Sequence, residues 1–155
     1  MSLKIITMKN FIFFSLAIVL FGCASSKKLS DMTNDNPIYS KAPKQAFLGD
    51  NSQVTTPTTI NDVKLNGNTL MMSISYTGGC AKHTFDLIGS EMISKSLPPI
   101  RSVSLIHNAN DEACKREMFD TLYFDITNLA YKKEVGSVIK LYIAGWKDQV
   151  IYTYQ

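Results

Sequence analysis

Apolar residues at every second position are the feature that most constrains this fold, as in Leu70, Met72 and Ile74. Successive side chains of a β-strand point to opposite faces, so a period of two predicts strands with one buried face. No long window has helical spacing. The pattern predicts an all-β fold, a single β-sandwich that is immunoglobulin-like in the broad sense. The predicted strands are 60–65, 70–76, 84–88, 101–107, 121–127, 139–143 and 150–154.

Turn residues separate these strands. Asn66-Gly67 lies between two alternating runs and predicts a β-hairpin, because both residues accept the positive φ of its turn. Gly78-Gly79 predicts a bulge or tight turn. Asp111–Met118 is the one stretch where a helical turn or two is expected, with Asn110 or Asp111 as the N-cap.

The chain has three cysteines. Cys23 follows an apolar segment near the start, whereas Cys80 and Cys114 belong to the predicted domain. An even pair of cysteines in an exported domain predicts a disulfide, because the compartment is oxidising. We therefore expect Cys80 and Cys114 to be bonded.

Both histidines lie close to this cysteine pair in the sequence. By alternation, His83 shares a face with Phe85, and His107 shares one with Leu105, so both imidazoles are expected at the edge of the core. The simplest interpretation makes them polar neighbours of the disulfide. His83, His107 and Asp111 are also the candidate binding or metal residues.

Two chemical alternatives use the same residues. Cys80-x2-His83 and His107-x6-Cys114 together offer the sulfur and nitrogen donors of a tetrahedral zinc site, if the thiols stay reduced. Cys80 could instead be a nucleophile with a histidine as its base. Neither a Cys-x2-Cys redox motif nor a Gly-x-Ser-x-Gly motif is present.

The first residues indicate export. Lys4 and Lys9 precede an apolar run, 11–21, that is shorter than the roughly 20 residues of a membrane-spanning helix. The run ends in Leu20-Phe21-Gly22-Cys23, which resembles the lipobox of bacterial lipoproteins. That resemblance implies cleavage after Gly22, lipid on Cys23 and attachment to a membrane. Ala24, where Asp would favour the inner membrane, implies the outer membrane and leaves the leaflet open.

Composition divides the rest of the chain. Residues 23–52 are rich in Ser, Lys, Asn, Asp and Pro without apolar periodicity, which predicts a lipidated cysteine followed by a flexible tether. Around Ala46-Phe47-Leu48 a short element is a candidate to dock on the domain. The predicted organisation is thus a signal peptide 1–22, a tether 23–52 and a β-sandwich 53–155.

Charge excludes one class of partner. The chain carries 16 Lys and Arg against 13 Asp and Glu, and removal of Lys4 and Lys9 with the signal leaves it close to neutral. Without a clustered basic face, nucleic acid is not an expected partner. No cofactor is predicted either.

The expected function is a non-enzymatic binding or structural module of the cell envelope. Its partners would be the membrane, through lipid on Cys23, and an envelope protein or glycan. The Gly78-Gly79-Cys80-x2-His83 string resembles one found in uncharacterised small envelope lipoproteins. The alternatives are a metal-dependent or hydrolytic enzyme that uses His83, His107 and Asp111, and a small lipoprotein that inhibits a hydrolase.

Overall fold

The computed structural model describes residues 42–155. The predicted signal peptide, the lipobox and Cys23 lie outside the described residues. Within 42–155, no helix is long and apolar enough to cross a membrane.

Two β-sheets form the described part of the chain. One sheet has the strand order β1-β7-β4-β3, and the other has the order β2-β5-β6-β8-β9. A single turn of 3-10 helix, Thr127–Leu129, follows β7. The strands are β1 (Lys44–Gln45), β2 (Phe47–Gly49), β3 (Thr58–Asn66), β4 (Thr69–Gly78), β5 (Thr84–Ser90), β6 (Ile100–Asn108), β7 (Arg116–Asp125), β8 (Val138–Ile143) and β9 (Gln149–Thr153).

Most neighbouring strands are antiparallel, but three pairs are parallel: β1 with β7, β2 with β5, and β6 with β8. The first two pairs arise because residues 44–49 cross from one sheet to the other. At the crossing, Ala46 is fully buried and its amide donates to the carbonyl of Asp125. The sandwich therefore begins at Lys44, within the stretch 23–52 that composition assigned to the tether, and it includes the candidate docking element at 46–48.

The core between the sheets follows the alternation of the sequence, which confirms the predicted all-β sandwich. Side chains predicted to point inward from β4 to β9 are buried, because every second residue of a half-buried strand faces the opposing sheet. The fully buried apolar members include Leu70, Met72, Ile74, Leu87, Ile126, Ile139, Leu141, Ile143 and Tyr152.

The β3–β4 hairpin forms as predicted, but its turn is centred one residue later. Asn66 pairs with Thr69, so Gly67 and Asn68 are the two turn residues. Gly67 has φ 56°, and Asn68 is not among the residues with positive φ. Positive φ at the first turn position alone is the requirement of a type II′ turn, which favours glycine there.

The helical turn expected between Asp111 and Met118 is wrong. Asn110 and Asp111 both have positive φ, 53° and 56°, which reverses the chain after β6. From Arg116 onward the chain is extended in β7, where Met118 pairs with Tyr76. Pairing along the whole of β4 outweighs the weak local preference of this stretch for a helix.

The sandwich has two distinct ends. At one end, which we call the histidine end, β4 and β6 finish while β5 and β7 begin. At the other, the apolar end, β5 and β9 finish while β6 and β8 begin.

Candidate functional site

A disulfide closes the histidine end. Cys80 follows β4 and Cys114 precedes β7, and their sulfur atoms are bonded with a Cα–Cα distance of 6.0 Å. This confirms the predicted pairing. Because both sulfurs are used in the bond, neither the Cys2His2 zinc site nor a Cys80 nucleophile is available in this state.

Both histidines lie directly beneath the disulfide-bonded loop and contact each other. Nδ1 of His83, just before β5, is 2.6 Å from Nε2 of His107 in β6. On its other side, Nδ1 of His107 is 2.8 Å from Oγ1 of Thr58, the first residue of β3. One polar chain therefore connects the two sheets.

Glu112, in the turn between β6 and β7, completes this chain. Its Oε1 lies 2.9 Å from Nε2 of His83, with the geometry of an ion pair rather than an aligned hydrogen bond. Its Oε2 accepts hydrogen bonds from the backbone amides of Cys80, at 3.0 Å, and Ala81. We call Thr58, His107, His83 and Glu112 the polar relay.

Burial shields both imidazoles and the carboxylate of the relay from water. His107 is 1% exposed, and the side chains of His83 and Glu112 are 3% and 4% exposed. The His107 ring stacks on Phe85 with centroids 4.4 Å apart. Tyr76 packs against both imidazoles, with centroid distances of 4.7 Å to His83 and 5.1 Å to His107. These three side chains are thus part of the core, whereas Thr58 is half-buried and lines a surface groove.

Two pKa values in the relay are displaced. Burial, and then the neighbouring His83 imidazole, lower the pKa of His107 below its usual 6.5. Burial alone would raise the pKa of Glu112, but the contact with His83 and the amides of Ala81 and Cys80 outweigh it and lower that pKa below 4.5. Glu112 is therefore an acceptor-only carboxylate at neutral pH, and His107 is neutral.

These charges set the direction of the hydrogen bonds. An ionised Glu112 requires a proton on Nε2 of His83, so a neutral His83 accepts at Nδ1 from Nε2–H of His107. Nδ1 of His107 then accepts from the Thr58 hydroxyl.

Because Gly78 has no side chain, it leaves room for the contact between His83 and Glu112. A Cβ at this last residue of β4 would lie 2.2 Å from Oε1 of Glu112 and 2.4 Å from Nε2 of His83. Real Cβ atoms do not approach other atoms so closely, so only glycine fits unless the ion pair moves. Gly78 and His83 of the Gly-Gly-Cys-x2-His string are therefore linked by packing.

The structure brings together some predicted residues and replaces others. His83 and His107 meet as expected, whereas Asp111 is exposed and its neighbour Glu112 contacts His83. Within residues 42–155 no group of three His, Cys, Asp or Glu side chains is arranged to hold a metal ion. Thr58 and Glu112 were not predicted as site residues, because neither stands in a motif and the fold alone brings them to the histidines.

Comparisons with known proteins extend as far as the fold. No protein-family model matches the chain, and a search of curated proteins finds no match. A NigD-like immunity protein from Bacteroides caccae superposes with a TM-score of 0.54 at 14% identity, covering 74% of this chain and 65% of that one. A protein of unknown function from Bacteroides vulgatus gives a TM-score of 0.49 at 19% identity, covering 73% and 56%.

The superposition on the NigD-like immunity protein shows a shared fold, the β-sandwich, and nothing of function. The chain also spans less than two thirds of the length of either protein.

Proposed function

We propose that this protein is a lipid-anchored module of the cell envelope that binds or scaffolds another component rather than catalysing a reaction. The main support for a non-enzymatic function is that the histidines and the carboxylate of the relay are buried. A catalytic group must reach its substrate, yet both imidazoles and the carboxylate are shielded from solvent and committed to one another. Their role in this proposal is to join the two sheets.

Three features support the envelope part of the proposal. The lipobox-like segment ends at Cys23, the mature domain holds a cysteine pair, and that pair is bonded as an oxidising compartment allows. The sandwich shared with the NigD-like immunity protein supports the proposal only at the level of the fold.

Metabolic labelling tests the anchor. Cells that express the full chain are grown with an alkyne-bearing palmitate, and the protein is isolated and fractionated with membranes. We expect label and membrane association in the natural protein and neither in Cys23→Ala. Cys80→Ala is the matched control, since it removes a different cysteine and must keep the label. Label that persists in Cys23→Ala contradicts the proposal.

One observation favours hydrolytic chemistry as a second candidate. The Thr58 hydroxyl contacts the His107 imidazole, which is the pairing that activates a nucleophile, although His83 lies between His107 and the carboxylate of Glu112. A fluorophosphonate probe discriminates the two functions. Labelling of Thr58 that disappears in Thr58→Val would favour the enzyme, and absence of labelling would favour the binding module.

A further inference from the structure

At the apolar end, large apolar side chains are exposed to water and take no part in the core. Leu97 is 99% exposed and Val135 is 85% exposed, and Tyr131 between them is about half-exposed. Leu97 belongs to the β5–β6 loop, whereas Tyr131 and Val135 belong to the segment that leads into β8. All three line one groove, so the two loops lie side by side. We call these three residues the apolar tips.

Both loops are held in place by hydrogen bonds. Around Leu97, the amide of Ser96 donates to the carbonyl of Ser94, and Oγ of Ser96 donates to the carbonyl of Pro98 at 2.8 Å. Beside Val135, the amide of Gly136 donates to the carbonyl of Tyr154 at 2.9 Å. The loop backbones beside Leu97 and Val135 are therefore held before a partner binds, which reduces the conformational entropy that binding costs.

Cationic side chains flank the tips. Nζ of Lys132 lies 5.9 Å from the centre of the Tyr131 ring. Lys95 lines an adjoining groove of about 470 Å³ with Leu97 and Tyr131. Glu134 is the acidic residue among those that line the groove of the three tips. Protruding aliphatic groups, a tyrosine and long basic side chains form the combination suited to the interface of a bilayer with anionic headgroups.

We propose that the apolar end rests on the surface of the lipid bilayer, with Leu97 and Val135 inserted at the headgroup boundary and Lys95 and Lys132 beside the phosphates. This inference rests on the proposed lipid anchor, which confines the domain near a membrane. The stretch from Cys23 to Lys44 can span roughly 70 Å when extended, ample for this end to reach the bilayer. A protruding tip needs no matching pocket in a fluid bilayer, which is why we favour lipid over a protein partner.

Tryptophan quenching in the anchored protein tests the inference. The full lipidated protein is reconstituted in vesicles of phosphatidylethanolamine and phosphatidylglycerol that carry bromine on one acyl chain. Leu97→Trp and Val135→Trp report on the tips. Ile151→Trp is the matched control, because Ile151 is also exposed but lies on β9. The natural Trp146 is present in all three variants and provides the common background.

We expect quenching at positions 97 and 135 to be at least about twice that at 151, as for side chains at the depth of interfacial anchors. Equal quenching at all three positions overturns the inference. So does full access of aqueous iodide to Trp at position 97, which would leave the apolar end as a surface for a protein.

The mass of the protein, which shows whether lipid is attached, and its flotation with vesicles are measured first. A missing lipid anchor is thereby distinguished from an apolar end that does not contact the bilayer. Protein that proves to lack lipid is added to the same vesicles at high concentration, where the comparison of positions 97, 135 and 151 still decides the inference. Lys132→Glu in the Leu97→Trp background is expected to reduce quenching, whereas Lys64→Glu on β3 is not.

Discussion

The two ends of the sandwich bury polar groups by different means. At the histidine end, four side chains from separate segments bond to one another beneath a disulfide. At the apolar end, a single cation, Arg101, is 3% exposed and donates to three carbonyls, those of Leu129 at 3.0 Å, Ala130 at 3.4 Å and Ser90. One end thus depends on partners that ionise, and the other on backbone acceptors that do not.

This difference has a physical consequence. Burial lowers the pKa of Arg101 below its usual value, yet arginine stays charged across the physiological range. Its bonds to carbonyls are therefore insensitive to pH and to redox conditions. The relay, in contrast, contains His107 and Glu112, whose protonation changes its hydrogen bonds, and it lies against a reducible bond. Of the two ends, only the histidine end should therefore make the stability of the fold depend on pH near neutrality and on reductant.

Removal of the disulfide should have the largest effect. In Cys80→Ser/Cys114→Ser, the unfolded chain regains the freedom of a loop with a sequence separation of 34. The chain-entropy model gives about 4 kcal/mol for such a loop. We expect urea unfolding at neutral pH to show a loss of that size.

Treatment of the natural protein with reductant provides the control, since it should lower the free energy of unfolding as the double substitution does. Reductant should leave the double variant unchanged. A loss below about 1 kcal/mol would mean that the packing of the histidine end holds this loop without the covalent bond.

Gly78→Ala should have the next largest effect. The added methyl group must displace the ion pair of His83 and Glu112, and overpacking of this kind costs about 1–3 kcal/mol. Gly49→Ala is the matched control, because the nearest atom to a Cβ there is 3.7 Å away, an ordinary contact. We expect Gly49→Ala to change the free energy of unfolding little.

A double-mutant cycle shows whether the clash is with the relay. In a His83→Ala background the ring is gone, so Gly78→Ala should cost less than it does in the natural protein. Additive costs would show that the His83 ring is not what excludes a side chain at Gly78, and would leave Glu112 as the group that does.

The sequence predicted the fold well because alternation records which side chains face the core. Met72, Leu105 and Leu141 each lie where the period of two places them. It located the turn of the first hairpin to within one residue, since Asn66, Gly67 and Asn68 are all compatible with turns, and only the strand register chooses among them. A short docking element was expected around Ala46–Leu48, but its two strands were not, because two or three residues are too few to show a period.

The candidate site was only half predictable. His83 and His107 were found because alternation and proximity to the cysteines both mark them. Asp111 was preferred to Glu112 by sequence alone, but the positive φ of Asn110 and Asp111 turns the chain so that Glu112 faces inward. Thr58 is distant in sequence from both histidines and reaches His107 only because the two sheets pack together.

The smallest expected effect is the change of stability with pH, which tests the histidine end specifically. The pKa of His107 is lowered in the folded state by burial first and by His83 second, so the unfolded chain binds this proton more readily. The resulting stability is fully present above pH 6.5 and is lost as the pH falls through the lower, folded pKa. For one proton the slope approaches about 1.4 kcal/mol per pH unit.

The measurement is the free energy of urea unfolding at intervals from pH 7.5 down to pH 5, in roughly half-unit steps, a range set by the reference pKa of histidine. His107→Phe keeps an aromatic ring against Phe85 but cannot titrate. Its stability profile should therefore be flatter below pH 6.5, even though its free energy of unfolding is lower throughout.

Glu112 adds a separate loss of stability at lower pH, because its lowered pKa gives stability that is present above pH 4.5 and disappears below it. Parallel profiles for the natural protein and His107→Phe would place the pH sensitivity between pH 7.5 and pH 5 outside His107, and over this range the contrast between the two ends would then lose its pH component.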